Sequence, residues 1–336
     1  MTATMRDVAE QAGVSMSTAS RALRGSPLIS EATRAKVSAV AQQIGYRPNQ
    51  AARTLRSGSS HLVGLVLNNL LNVSFHVIAE VVGRKLAHAG YQLILGTTDG
   101  EPKAEKALLE ALADHGVDGV ILVGTGQNAA TTNQLQRDGI ALVNVIRSSR
   151  DSASPTVLAN DREGAYEGTR YLLELGHRRI GLVGALDTAD SGRERLRGYT
   201  DALESYGLSP DPALIQRGPF TKEFGVEATQ SLLAAGGMTA LFAANHEAVF
   251  GVLPTLMAAG VRVPEDLSLL CYEDMPILEL WQPPISVVDN GAPSIAELAV
   301  DLLLDQLAGR EGSRAAARAY WVGAQLVRRG SCVPLR

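Results

Sequence analysis

The chain has 336 residues, with 31 Lys and Arg against 35 Asp and Glu, a formal net charge of −4. Taken as one number, that balance argues against a partner made of phosphate, because proteins that coat nucleic acid are usually basic. The 46% apolar and 20% charged residues exclude a disordered chain, and the length accommodates two or more domains. No apolar run approaches the ~18 residues of a membrane span, and the first residues lack the apolar core of a secretory signal. Two cysteines, Cys271 and Cys332, without CxxC spacing, fit a reducing cytoplasm and two buried small hydrophobes.

The average conceals two unlike parts. Residues 1–60 hold eight basic side chains and three acidic ones, a local charge of +5, which leaves 23 basic against 32 acidic, or −9, for the remainder. A basic head on an acidic body suits a polyanion at one end and solubility at the other.

The head reads as short helices. Thr4-Met5-Arg6-Asp7 is a capping-box start, with Val8, Ala9 and Ala12 at helical spacing before Gly13. Ser15 caps a second helix, Met16 to about Leu23, and Ser30 a third that carries Val37, Val40, Ala41 and Ile44 on one face and stops at Gly45. Two helices joined by a short glycine turn, braced by a third, form the helix-turn-helix signature, with Val8, Ala9, Val14, Ala19 and Leu23 as its buried crossing. The alternative, a small bundle with a solvated polar face, leaves the local charge unexplained. The second helix then exposes Met16, Ser17, Ser20 and Arg21, groups suited to phosphates and base edges in a major groove. From Pro48 to Leu55 a weak helix of about eight residues needs a partner, which makes it a switch element before Ser57-Gly58-Ser59-Ser60.

The segments Met5-Arg-Asp-Val-Ala-Glu-Gln-Ala-Gly-Val-Ser, Ser17-Thr-Ala-Ser-Arg-Ala-Leu, Gly45-Tyr-Arg-Pro-Asn and Ala51-Ala-Arg-Thr-Leu resemble the amino-terminal part of LacI/GalR transcription regulators. The resemblance implies that Met16, Ser17 and Arg21 read the major groove, with Ser15, Thr18 and Ser20 nearby. It also implies contacts from Tyr46, Asn49 and Arg53, and a hinge helix paired with its dimer mate, where Ala52 packs and Leu55 wedges into a base step of the minor groove.

From residue 61 onward, apolar runs alternate with helical patterns. They occur at 62–67, 91–95, 119–123 and 140–146, with a crossing near Asn160, then at 180–183, 213–215, 240–244, 267–271 and 285–288. A helix over 294–307 and a last run over 320–327 complete the pattern. Continuous apolar strands with helical crossovers indicate parallel sheets covered on both faces, here in two similar lobes with a ligand between them. The expected fold is thus an all-α helix-turn-helix head on an α/β body of two parallel-sheet lobes, like a periplasmic binding protein. The expected units are residues 1–47 for the head, 48–60 for the hinge, 61–161 plus 292–322 for one lobe and 162–291 plus 323–336 for the other.

Gly124-Thr-Gly126-Gln-Asn-Ala129 matches the relaxed dinucleotide fingerprint, but it follows the third strand of its lobe, and Ile146-Arg147 stand where a ribose carboxylate belongs. A turn or lid is the better reading, so no cofactor is expected. His61, His76, His88, His115, His177 and His246 form no HExxH or HxH pair, and no nucleophile elbow or P-loop is present. His177 reads as structural, at a helix end before a strand. No enzyme is expected.

Strand-end loops and the family resemblance together nominate the effector site. Asn68, Asn69 and Phe75 follow the first strand, Arg147 the fourth, and Arg193 and Arg195 the first strand of the second lobe. Phe220 matches an aromatic stacking position, Asn245 a polar one, and Glu273 the family's Gly-Tyr-Asp acid. Amides and a carboxylate beside an aromatic face suit a sugar. Two positions depart from the family: Cys271-Tyr-Glu-Asp replaces Gly-Tyr-Asp, and Asn245-His246-Glu replaces Asn-Asp. The longer Glu273 is expected to intrude on the ligand by about one methylene, and the additional arginine to favour an acidic sugar or phosphate. The expected protein is a cytoplasmic homodimeric repressor that binds pseudo-palindromic double-stranded operator DNA under control of a sugar-like effector. A sugar-binding transport protein explains the body alone, and an NADP-linked oxidoreductase rests on the glycine loop alone.

Overall fold

The computed structural model describes residues 3–23, 25–46, 59–147, 151–186, 189–309 and 318–335. Contacts within the chain separate it into a unit of residues 1–60 and a unit of residues 61–336.

In the first unit, α1 (Met5–Ala12), α2 (Met16–Leu23) and α3 (Glu31–Gln43) close around Val8, Ala9, Ala12, Ala19, Ala22, Val37 and Ala41. Thr4 and Asp7 form the reciprocal capping box, with Thr4 N donating to Asp7 Oδ2 at 2.7 Å. Gly13 ends α1 at φ 64°, a left-handed backbone that a side chain would strain. Ser15 Oγ accepts from Thr18 N at 3.1 Å, the cap expected for α2, and Ser30 caps α3. Val14 and Leu23, expected inside, are half-buried; the smaller Ala12 and Ala22 take the innermost places because the helices cross closely.

The second unit contains two six-stranded sheets. The first has the order β11-β5-β4-β3-β1-β2, formed by β1 (Leu62–Leu67), β2 (Gln92–Thr97), β3 (Gly119–Leu122), β4 (Ala141–Val145), β5 (Thr156–Ala159) and β11 (Ala319–Val322). It is covered by α4 (Val73–His88), α5 (Pro102–Asp114), α6 (Ala129–Arg137) and α12 (Ala292–Leu307). The second has the order β12-β10-β9-β8-β6-β7, formed by β6 (Ile180–Val183), β7 (Ile215–Gln216), β8 (Ala240–Ala243), β9 (Ser268–Tyr272), β10 (Ser286–Asp289) and β12 (Gln325–Val327). Its helices are α7 (Asp161–Glu174), α8 (Asp190–Ser205), α9 (Lys222–Ala235), α10 (His246–Ala258) and the short α11 (Pro276–Leu280).

The apolar runs become the strands because strands covered on both faces exclude water from every position: β1, β3, β4, β6, β8 and β9 are almost wholly buried. Three local departures from the expected pattern have physical causes. The run at 213–215 is displaced, since Pro212–Leu214 form a 3-10 turn whose Ala213 N–H is taken by Asp211 Oδ1 at 3.0 Å, and β7 begins only at Ile215. Residues 156–159, not among the expected runs, are a strand between β4 and β11. The last run is two strands joined through Gly323-Ala324; β11 is parallel to β5, but β12 reverses against β10, so the second sheet is mixed rather than purely parallel.

The chain passes between the sheets near Asn160, at Asn290-Gly291 and at Gly323-Ala324. Asn160 N donates to Val322 O at 2.9 Å, which ties two of these passages together.

Helices α7 and α8 approach closely. A Cβ on Gly198 would stand 2.1 Å from Arg162 O, a backbone atom that cannot yield. Gly198 lies one turn after Arg195, so this contact sets the depth at which that arginine reaches the second sheet. Replacing Gly198 with alanine is expected to cost about 1–3 kcal/mol through overpacking, measured as a lower urea midpoint with unchanged m-value.

Candidate effector site and DNA-reading head

The wall built on the second sheet centres on Arg195. The side chain leaves α8, is almost fully buried, and donates Nε to Asp161 Oδ1 at 2.8 Å, Nη1 to Ala244 O at 2.8 Å and Nη2 to Glu273 Oε1 at 3.0 Å. Its guanidinium lies 3.8 Å from the Tyr272 ring centroid and 6.0 Å from that of Phe220. Glu273 follows β9 in a left-handed backbone, φ 74°, with its N–H on Val288 O at 2.7 Å. This turn directs the carboxylate to Arg195 on one oxygen and to His246 Nδ1 on the other.

The longer carboxylate therefore does not project into ligand space. It is turned inward and only 8% exposed, because two buried cations claim its oxygens. His246 is fully buried, and its Nε2 lies 3.4 Å from Glu247 Oε1. Burial opposes charge on this imidazole, but Glu273 and Glu247 outweigh it and raise its pKa to about 9. Burial likewise opposes charge on Glu273, yet His246 and Arg195 hold its carboxyl well below the usual range. The second-lobe wall is thus an internally matched set of two cations and two carboxylates.

The other nominated residues are placed differently. Asn245 caps α10, its Oδ1 accepting from Glu247 N at 2.8 Å and Ala248 N at 3.3 Å. Arg193 lies on the exposed side of α8, ion-paired with Asp190 one turn back. In the first lobe the Asn68 amide, assigned from the donors and acceptors around it, donates to Val123 O at 3.2 Å and accepts from Arg147 Nη1 and Nη2 at 3.1 and 3.0 Å. Arg147 loses some basicity to burial, offset by Asp190 and Glu105. Asn69 Oδ1 organises the following turn by accepting from Leu71 N and Asn72 N. Phe75 is buried in the first-lobe core and presents no stacking face.

Structure brings together Arg195, Phe220 and Glu273 on one side and Asn68 with Arg147 on the other. It adds Asp161, Tyr272 and His246, which the sequence reading did not assign to the site. Asp161 stands directly after the Asn160 crossing, a position a helix start already explains, and 34 residues separate it from its partner.

In the glycine loop a carboxylate of the chain takes a backbone N–H that a pyrophosphate would use. Glu105, 1% exposed, takes Thr125 N at 2.5 Å and Asn128 Nδ2 at 2.9 Å, so a carboxylate of the chain itself fills the anion-binding nest. His177 is buried between Thr239, Ser268 and Val333 O, its pKa lowered by burial, as a structural histidine requires. Both thiols are buried, and burial pushes Cys332 up to about 11. Among the described residues no His/Cys/Asp/Glu cluster could hold a metal, and no helix is long and apolar enough to cross a membrane.

In the head, Ser15, Met16, Ser17 and Arg21 are exposed, Thr18 and Ser20 partly so. Met16, at the first position of α2, is 52% exposed, unusual for its type. Tyr46 packs half-buried on the head's core, with its N–H on Ala41 O at 2.9 Å. Asn49, Ala52, Arg53 and Leu55 lie outside the described residues.

A helix-turn-helix unit with an exposed polar second helix, in one chain with a two-sheet α/β body around a polar cleft, defines a DNA-binding transcription regulator. Residues 4–49 match the model of bacterial regulatory proteins of the lacI family, and residues 169–332 that of the periplasmic binding protein-like domain. The chain is 31% identical over 316 residues, 93% of both proteins, to the HTH-type transcriptional repressor CytR of Escherichia coli (strain K12). Among solved structures, a transcriptional regulator CelR-cellobiose complex aligns with TM-score 0.73 and 29% identity, over 98% of this chain and 99% of that one. A lac repressor dimer bound to operator and the anti-inducer ONPF aligns with TM-score 0.86 over 99% and 100%; at 23% identity it speaks for the fold. The protein belongs to the lacI family of bacterial regulatory proteins.

The His246–Glu273 pair predicts a pH signature. The folded pKa of His246 stands above its unfolded value of about 6.5, so its contribution is complete below pH ~6.5 and is lost as pH rises through about 9. The depressed Glu273 contributes above its ordinary carboxyl range and loses that contribution under acid. Urea unfolding of the natural protein and of His246→Asn should therefore show a stability difference that shrinks between pH 6.5 and 9; parallel curves contradict the pairing.

Proposed function

We propose that the protein is a cytoplasmic, homodimeric repressor whose operator affinity is set by a sugar-like effector held between the two lobes. The observation that carries the reading is the capped, exposed amino-terminal half of α2, with Met16, Ser17 and Arg21 outward. Hydroxyls and an arginine on a helix end match phosphate oxygens and base edges of the major groove, and an exposed methionine matches a thymine methyl. Asn49, Ala52, Arg53 and Leu55 complete the contact through the hinge segment, with Leu55 as the minor-groove wedge.

Exposed apolar side chains on the body support assembly with a second copy. Leu71 is 82% exposed after β1, Phe250 and Met257 share one face of α10, and Ile277 and Leu280 share one face of α11. A two-fold dimer of such heads requires a pseudo-palindromic operator. The lobes, residues 61–161 with 292–322 and 162–291 with 323–336, are the bodies whose angle the effector sets, and the CelR relative bound to cellobiose supports a sugar in this role. An effector that favours one angle shifts the population of DNA-competent dimers.

The test is a gel shift with the promoter of the protein's own gene. A specific complex is expected, with affinity falling steeply from 50 to 200 mM salt, and Arg21→Ala is expected to weaken it by about 1–3 kcal/mol. No specific complex at moderate salt, or equal affinity for unrelated DNA, overturns the reading.

A further inference from the structure

We propose that Val73 is a latch between the lobes: seated against the core of the second lobe, it holds the body at one lobe angle, and its release changes operator affinity. The link to DNA rests on the effector-controlled reading above, whereas the latch itself does not. The chain crossings near Asn160, at Asn290-Gly291 and at Gly323-Ala324 form the hinge, and a hinge alone leaves the angle free. Something else must select the angle.

Two asparagines deliver the valine. Asn69 Oδ1 accepts from Leu71 N at 2.9 Å and Asn72 N at 3.1 Å, closing the turn after β1, and Asn72 Oδ1 then caps α4 by accepting from Ser74 N at 2.9 Å. Val73 follows as the first residue of α4, where a β-branched side chain has one strongly preferred rotamer. It is half-buried, and it does not pack on its own lobe. It lies against the second-lobe cluster that contains Met275 and Leu278, both almost fully buried. Val77, one turn later on the same helix, packs instead on the first-lobe core.

The receiving surface is held firmly and lies close to the Arg195 set. Glu273 is fixed by its left-handed backbone and its two cations, and Arg329 grips Asp274 with bonds of 2.9 and 2.7 Å, so Met275 enters α11 from a braced loop. Met275 stands two residues after Glu273, and a molecule that moves this carboxylate moves the surface on which Val73 rests. A second contact acts in the same direction. Burial lowers the basicity of Arg147, in the first lobe and bonded to Asn68, and Asp190, in the first turn of α8 in the second lobe, is the first charge to offset it. Each buried methylene shifts such an equilibrium by about fourfold, so removing two methyl groups from a half-buried valine shifts it by about threefold to tenfold. That is enough to move a population between two lobe angles without unfolding either lobe.

The experiment measures the lobe angle as a distance between nitroxide labels at Lys103→Cys and Glu227→Cys, exposed positions on α5 of the first lobe and α9 of the second, in the full chain diluted with unlabelled protein; both native thiols are buried. One narrow distance distribution is expected for the labelled protein with Val73 intact. Val73→Ala is expected to add a second population, Val73→Ile to keep the single one, and Val77→Ala, the same truncation on a side chain that packs on its own lobe, to leave it unchanged. In a gel shift with the promoter of the protein's own gene, Val73→Ala is expected to change operator affinity by at least about threefold, and Val77→Ala to leave it within twofold. Each variant's urea transition reports its folding, and if Val73→Ala does not fold, Asp190→Asn carries the test with the same expected second population. A folded Val73→Ala with the unaltered distribution, or equal broadening by Val77→Ala, overturns the latch. Broadened distances with unchanged operator affinity overturn its regulatory role. No operator complex from the natural protein, with distances that behave as expected, refutes the regulator reading and spares the latch.

Discussion

Arg195 is the point on which the second lobe is organised. It joins the amino-terminal turn of α7 through Asp161, the end of β8 through Ala244 O and the end of β9 through Glu273. Taking a guanidinium out of water costs several kcal/mol, recovered only when its donors meet well-placed acceptors. Here each nitrogen has one, and the flat face lies on Tyr272. The close α7–α8 approach at Gly198, the left-handed turn at Glu273 and the buried histidine beside it all follow from the need to complete that set.

The two segments singled out in the sequence, around His246 and around Glu273, touch each other. Lengthening the acid to Glu273 moves its carboxylate inward, and placing His246 after Asn245 supplies the second cation that receives it. Read separately, each change looks like a change in ligand contact. Read together, they are one internal salt link.

How much of this was legible depends on range. Local rules were sufficient for the head: the Thr4–Asp7 box, the turn at Gly13 and the Ser15 cap are decided within four residues. Buried parallel strands were visible as apolar runs because burial on both faces removes alternation. Partnerships across the fold were not visible. Glu105 filling the Gly124–Ala129 loop spans some 20 residues, and Arg195 reaches Glu273 across 78. Phe75 was nominated for its place after β1, but α4 turns it into the core.

The same logic explains the division of charge. The positive excess is confined to the first sixty residues, while the body balances its buried charges internally and remains acidic overall. The basic excess and the buried ion pairs therefore lie in separate parts of the chain. The most direct test of the central claim is a double-mutant cycle on Arg195→Met and Glu273→Gln, read by urea unfolding at neutral pH. Each single change should cost about 3–5 kcal/mol by stranding a buried charge, and the double variant should cost clearly less than their sum. Costs that add to within about 0.5 kcal/mol would show that the two groups do not depend on one another, and would contradict the account.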